Sequence, residues 1–207
     1  MDINNPEAIE AKSFEIIEEE LGGLNRAPEE AKIIKRVVHA TADPEFADLI
    51  EISPKAIASG KQGLEAGANV VTDVNMLKSG INEKILTELG GVLNCYISDE
   101  KVAARAKKLG ITRSRVALRL AIGLENNRVF AIGNAPTALN ELIDLVEKGE
   151  ANPDLVVGTP VGFVGASEVK ESLSELDLPY ITVHGRKGGS AVAASIVNSI
   201  LYMLRER

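Results

Sequence analysis

Short β-branched runs recur through residues 67–207 with a helix-length stretch between each pair, and that alternation leaves few folds open. The runs are Asn69-Val70-Val71-Thr72, residues 92–97, Val129-Phe130-Ala131-Ile132, Leu155-Val156-Val157 and Tyr180-Ile181-Thr182-Val183. Helical patterns fill 99–109, 113–122, 136–147, 168–176 and 190–205. Apolar runs joined by helical crossovers build a parallel sheet covered on both faces, and right-handed crossovers give three layers. The expectation is an α/β fold, three-layer α/β/α, with a flavodoxin-like, five-stranded, mainly parallel sheet and ligands beyond the strand C-termini. Helical patterns at about 6–21, 28–40 and 55–66 precede the sheet, with Pro6 and Pro28 at first-turn positions. No linker, low-complexity tract or repeat interrupts the chain. One domain is expected over 1–207: a mainly helical extension, 1–66, and a doubly wound core, 67–207.

Composition narrows the function classes. A single cysteine among 207 residues excludes an intrachain disulfide and any multi-cysteine metal site, and suits a reducing cytoplasm. No run approaches the ~20 apolar residues of a membrane helix, and the start MDINNPEAIE lacks a secretory pattern. Aromatics, at 3%, are too few for a base-stacking surface. A cytoplasmic protein with neither a membrane nor a nucleic-acid partner is expected. The net charge of −7 belongs to residues 1–30, with nine acids against two bases. Residues 101–128 carry eight bases and one acid, so an acidic chain still offers local sites for anions.

Glycines gather behind the expected strands, at Gly133-Asn134-Ala135-Pro136, at 158–167 and at Gly185-Arg186-Lys187-Gly188-Gly189-Ser190. Glycine lets backbone approach a ligand, and helix N-termini attract anions. None of these loops matches a nucleotide fingerprint. Together they point to a pocket at one end of the sheet, and Arg186 and Lys187 suit a carboxylate or phosphate there. On the 28–40 helix, Ile33, Ile34, Val37 and Val38 share one face, while Lys32, Lys35, Arg36 and His39 share the other. That second face is either a solvated basic surface or a cationic strip lining a cleft, with His39 suited to proton exchange near neutral pH. Ser13 on the first helix, Asp73 ending a strand and His184 beside the last glycine loop are further candidates; Cys95 reads as a small core residue.

Several of these segments together resemble the precorrin-8X methylmutase family of corrin biosynthesis, which includes the cobalt-precorrin-8 methylmutases. The similarity lies in Ala131-Ile132-Gly133-Asn134-Ala135-Pro136-Thr137-Ala138-Leu139, Gly158-x-Pro160-Val161-Gly162-Phe163-Val164-Gly165-Ala166, Gly185-Arg186-x-Gly188-Gly189-Ser190, Thr112-Arg113-Ser114, and His39 following Arg36. The resemblance implies an isomerase that moves a methyl group from C11 to C12 of precorrin-8X or cobalt-precorrin-8, giving hydrogenobyrinate or cobyrinate. It implies His39 as proton donor and acceptor and Ser13 and Arg36 as substrate contacts. It also implies a homodimer with the site near the subunit interface, no cofactor and no bound metal. A corrin precursor carries acetate and propionate groups, for which Arg36, Arg113, Arg186 and the loops bearing Asn134, Gly162, Gly189 and Ser190 are candidates. Hand-over of product to the next pathway enzyme is a further expectation. Where some relatives read Ala-Glu-Ser-Lys, this chain has Ser167-Glu168-Val169-Lys170.

Two other classes remain open on sequence alone. One is a non-catalytic corrinoid-binding or escort protein, which has little use for a proton-exchanging histidine. The other is a nucleotide- or flavin-dependent enzyme on a similar scaffold, disfavoured by the missing phosphate fingerprint.

Overall fold

The segment Asn127–Ile132 shows why a parallel sheet forms. Val129, Phe130, Ala131 and Ile132 are all buried, and alternate side chains enter different cores. Val129 and Ala131 join a cluster with Ile33, Val37, Ile200 and Leu201. Phe130 and Ile132 join another with Leu139, Leu142 and Leu173. A strand apolar on both faces is stable only between two helical layers.

The computed structural model describes residues 5–205, so the first four and last two residues of the expected 1–207 domain lie outside the described residues. In chain order the elements are α1 (Pro6–Glu20), α2 (Pro28–Thr41), α3 (Phe46–Leu49), β1 (Ile50–Ile52), α4 (Ala56–Glu65) and β2 (Asn69–Thr72). Then come α5 (Asn75–Gly80), α6 (Glu83–Glu88), β3 (Leu93–Cys95), α7 (Glu100–Leu109), α8 (Arg113–Ile122) and β4 (Asn127–Ile132). The chain closes with α9 (Pro136–Glu147), β5 (Leu155–Gly158), α10 (Ala166–Ser174), β6 (Tyr180–Val183) and α11 (Ser190–Arg205). Local signals fix several boundaries. Proline occupies the first turn of α1, α2 and α9, and Asn5 and Thr112 cap α1 and α8 by accepting amides of Ala8 and Arg115.

The sheet order is β1-β6-β5-β4-β2-β3, mixed and mostly parallel, with helices on both sides. The expected five strands are therefore corrected to six. The added strand, β1, pairs antiparallel with β6 through Ile50–Val183 and Ile52–Ile181. Three residues between two proline-bearing turns are too short to show a period in sequence. The five parallel strands follow the doubly wound order 2-1-3-4-5, which reverses between β2 and β4. One layer holds α2, α4 and α11; the other holds α8, α9 and α10. Among the described residues no helix is long and apolar enough to cross a membrane.

The basic stretch of 101–128 is in part structural. Glu141 of α9 is only 1% exposed, and it accepts from Arg115 Nε at 2.5 Å and from Arg119 Nε. Burial opposes ionisation of Glu141, yet the two guanidinium groups prevail and its pKa falls below the usual carboxylate range. A depressed pKa makes the contribution complete above the unfolded carboxylate value and progressively lost as pH falls through the folded one. Glu141→Ala should cost about 1–3 kcal/mol at pH 7, below the roughly 3–5 kcal/mol of a fully buried broken pair because both arginines can rehydrate. Urea unfolding at pH 7 and at pH 3 checks this: the gap between wild type and variant should shrink at the lower pH.

Candidate active site

The crevice expected between the C-terminal ends of β2 and β4 is filled by the chain itself. Asp73, just beyond β2, accepts amides of Gly133 at 3.1 Å, Asn134 at 2.9 Å and Ala135 at 2.7 Å. These are the donors that would otherwise face an anion at the start of α9. Burial pushes the Asp73 pKa above its ordinary value, against the pull of the three amides. Asp73 is thus an internal anion at the switch point, where its position alone had made it a site candidate. Gly133 is needed beside it: a Cβ there would lie 2.9 Å from Ser190 Cα, so the β4 loop packs directly on the start of α11.

The other two glycine loops are pinned to each other. Gly162 donates to the Arg186 carbonyl at 3.1 Å and Gly189 donates to the Thr159 carbonyl at 2.8 Å. A Cβ on Gly188, whose φ is +150°, would strike the Thr159 carbonyl. The amides of Gly162 and Gly189 are therefore committed within the protein. What the pair offers outward is side chain. Phe163, 84% exposed, and Val164 project from the first loop, and the Arg186 guanidinium stacks over the Phe163 ring at 5.1 Å. Asn134 and Arg113 are also exposed, and Ser190 is half-buried. Arg113 opens α8, where Thr112 meets Thr137 of α9 at 3.0 Å between hydroxyls.

Ser13 and His39 form a second centre between α1 and α2. The Ser13 hydroxyl lies 2.8 Å from His39 Nδ1, and the Phe14 ring stacks on the imidazole with centroids 5.2 Å apart. These contacts hold an exposed ring in one orientation. The groove around it, about 380 Å³, is mostly apolar, with Ile9, Ile16, Ile17, Val38 and Pro44 beside Ser13 and His39. Arg36, one turn earlier on α2, lies between Phe14 and Tyr202 and binds Glu10 at 2.6 Å. Lys35 pairs with Glu18. The middle of the basic face of α2, Lys35 and Arg36, is therefore neither bare to solvent nor an open cationic strip, because Glu18 and Glu10 of α1 pair with it, whereas Lys32 and His39 at its ends stay exposed.

The two centres meet through Lys187. Its ammonium reaches Asp43 at 2.5 Å and Glu45 at 2.7 Å, in the connection that follows His39 and includes Pro44 of the groove. Asn134, Gly162, Arg186, Gly189, Ser190 and Arg113 do not line the His39 groove.

The sequence model of the precorrin-8X methylmutase family matches residues 8–203. The chain belongs to this family. It is similar to the cobalt-precorrin-8 methylmutase of Priestia megaterium, at 47% identity over 94% of this chain and 87% of that one. The cobalt-precorrin-8 methylmutase of Salmonella typhimurium is 43% identical over 99% and 98% of the two chains. The crystal structure of precorrin-8X methylmutase from Thermus thermophilus superposes with a TM-score of 0.89, at 35% identity and 97% coverage of both chains. The chain is accordingly an isomerase of cobalamin biosynthesis, an intramolecular transferase of the methylmutase type.

In this methylmutase the remaining sequence candidates have structural surroundings. His184 binds Glu51 at 2.8 Å, and Glu51 also accepts from Tyr180 and Ser174, which fastens β1 to its neighbours. Cys95 is half-buried at the end of β3. Sequence reasoning missed Phe14 and Tyr202 as partners, since neither has a local pattern that marks it, and Lys187, read as suited to an anionic ligand, is instead engaged by Asp43 and Glu45. The switch-point assignment is testable by stability. Asp73→Ala leaves three amides without their acceptor and should cost about 2–4 kcal/mol in urea unfolding. Asp73→Asn keeps one acceptor oxygen and should lose less; equal losses would mean that the hydrogen bonds are not what Asp73 supplies.

Proposed function

We propose that the chain moves the methyl group from C11 to C12 of cobalt-precorrin-8 or precorrin-8X, with His39 as the catalytic proton donor and acceptor. The observation that carries this is the imidazole fixed by the Ser13 hydroxyl at 2.8 Å and by the Phe14 ring, at the mouth of an apolar groove. Ser13 engages Nδ1, so proton exchange is assigned to Nε2. His39 protonates one ring position and takes a proton from another, selecting the tautomer in which the methyl can shift suprafacially. The bond from C11 to the methyl breaks as the bond from C12 forms, and every proton taken is returned, as an isomerisation requires. General acid–base help of this kind contributes about 10²–10⁴-fold, and holding the macrocycle in its reactive geometry adds to it.

The substrate's carboxylates need distributed cations. Arg36, Arg186 and Arg113 are assigned to them, with Asn134 and Ser190 as further side-chain contacts on the loops beyond the sheet and Gly162 and Gly189, whose amides are already taken, as places where bare backbone lets the macrocycle come close. For Arg36 to bind, Glu10 must yield its place. The exposed Val161, Phe163 and Val164 would meet the flat macrocycle. The names of the relatives above favour the cobalt-bearing substrate. We read residues 1–207 as one domain, working in the cytoplasm as a homodimer that passes its product to the next enzyme. Charge supports the dimer: α1 is acidic, whereas α7 and α8 expose Lys101, Arg105, Lys107, Lys108 and Arg113. Moreover, α8 packs on the sheet face opposite to α2, so a second copy is a natural source of Arg113 for the His39 centre.

Anaerobic incubation with cobalt-precorrin-8 and with precorrin-8X, followed by visible spectra and NMR of the methyl position, tests the reaction. Wild type should convert at least one of them, the cobalt form faster. His39→Ala should bind but turn over 10²–10⁴-fold more slowly. Arg36→Ala should raise KM more than it lowers kcat. Binding with full function in His39→Ala would instead indicate an escort protein, and absence of any conversion by wild type would refute the reaction.

A further inference from the structure

Among the described residues Lys170 is the largest fully buried side chain, at 0% exposure. It lies in α10, beneath the loop that joins β6 to α11. Its ammonium donates to the Lys187 carbonyl at 2.7 Å, and no carboxylate pairs with it among the described residues. Burial brings its pKa down to about 8, so it is still mostly protonated at neutral pH. A buried cation facing only a carbonyl is a costly way to fill a core, and an apolar side chain would do that better. The charge must therefore be explained by what it holds.

What it holds is the residue where the two centres meet. The Lys187 carbonyl is taken by Lys170, while the Lys187 ammonium is taken by Asp43 and Glu45 in the connection behind His39. On either side of Lys187, the Arg186 carbonyl accepts from Gly162 and the Gly189 amide donates to Thr159. The segment 185–189 is thus fixed from below, from the side and from the neighbouring loop. Only the anchor from below comes from a group with no other contact to the site.

We infer that Lys170 is a positioning residue: by holding the Lys187 carbonyl it sets the conformation of 185–189, and so aims Arg186 at a substrate carboxylate and keeps Lys187 in reach of Asp43. This rests on the assignment of Arg186 to substrate binding. The group it serves is an acetate or propionate of the macrocycle, not the reacting carbons.

Two measurements separate this inference from the functional reading. The first needs no turnover. Amide hydrogen exchange in Lys170→Met and Lys170→Ala should accelerate at Gly162 and Gly189 by tenfold or more, while amides within β5 and β6 keep their protection. The second is kinetic. Lys170→Met should raise KM for the tetrapyrrole tenfold or more with kcat within threefold of wild type. In Lys170→Ala, n-propylammonium, which replaces the atoms removed, should restore KM. Unchanged exchange at Gly162 and Gly189 would overturn the positioning role whether or not wild type is active. Parallel loss of KM and kcat without amine rescue would mean that Lys170 only supports the fold. If wild type converts neither substrate, the functional reading fails, and the exchange result still decides whether Lys170 orders the loop.

Discussion

One buried carboxylate, Asp73, occupies the amides that a sheet of this kind usually offers to an anion. Doubly wound sheets leave a crevice where the strand order reverses, and their ligands commonly use the amides at its edge. Here Asp73 consumes those amides, drawing the β4 loop onto the end of β2 and allowing Gly133 to rest against Ser190. The scaffold keeps its outline but loses the usual phosphate cradle. What remains outward-facing are side chains on the loops at 159–166 and 184–190, such as Phe163 and Val164, and the groove between α1 and α2, the surfaces to which the proposed reaction assigns the substrate. A large, flat, many-charged macrocycle suits such a dispersed surface better than a nucleotide phosphate would.

Charge is handled locally throughout. Acidic residues concentrated near the N-terminus are placed where α1 covers the basic face of α2, with Glu10 on Arg36 and Glu18 on Lys35. Arg115 and Arg119 converge on the buried Glu141, which leaves the remaining bases of α7 and α8 as the outward cationic surface. The pairs of Glu10 with Arg36 and Glu18 with Lys35, whose acids are exposed, contribute little to stability. Their effect is on placement: they set which cations remain available to a polycarboxylate and which must first release an internal partner. Lys187 performs that service between elements, tying the last glycine loop to the segment behind His39.

Much of this could be read from the sequence because the signals were local. Runs such as Val129-Phe130-Ala131-Ile132 and helix starts such as Pro136 give periodicity and caps within a few residues. The parallel strands and the bounds of α8, α9 and α11 followed from them. The strand Ile50-Glu51-Ile52 was hidden, because three residues show no period and the pairing that makes them a strand comes from β6, far along the chain. Ser13, Arg36 and His39 were legible from helix angle together with family resemblance, and the structure joins Ser13 to His39 while giving Arg36 an acidic partner. The meaning of Asp73 was not legible. Its three donors lie sixty residues away, and a carboxylate at a strand end looks the same whether it faces a ligand or its own backbone.

The chain has only two histidines, His39 and His184, so ring-nitrogen NMR of histidine-labelled protein locates the site directly. Titration with metal-free hydrogenobyrinate should shift the His39 nitrogens, with Nε2 moving most, and leave His184 unchanged on its Glu51 partner. The His39→Ala spectrum assigns the two rings. Saturable binding that shifts His184 alone, or neither ring, would contradict a reaction centred on the groove between α1 and α2.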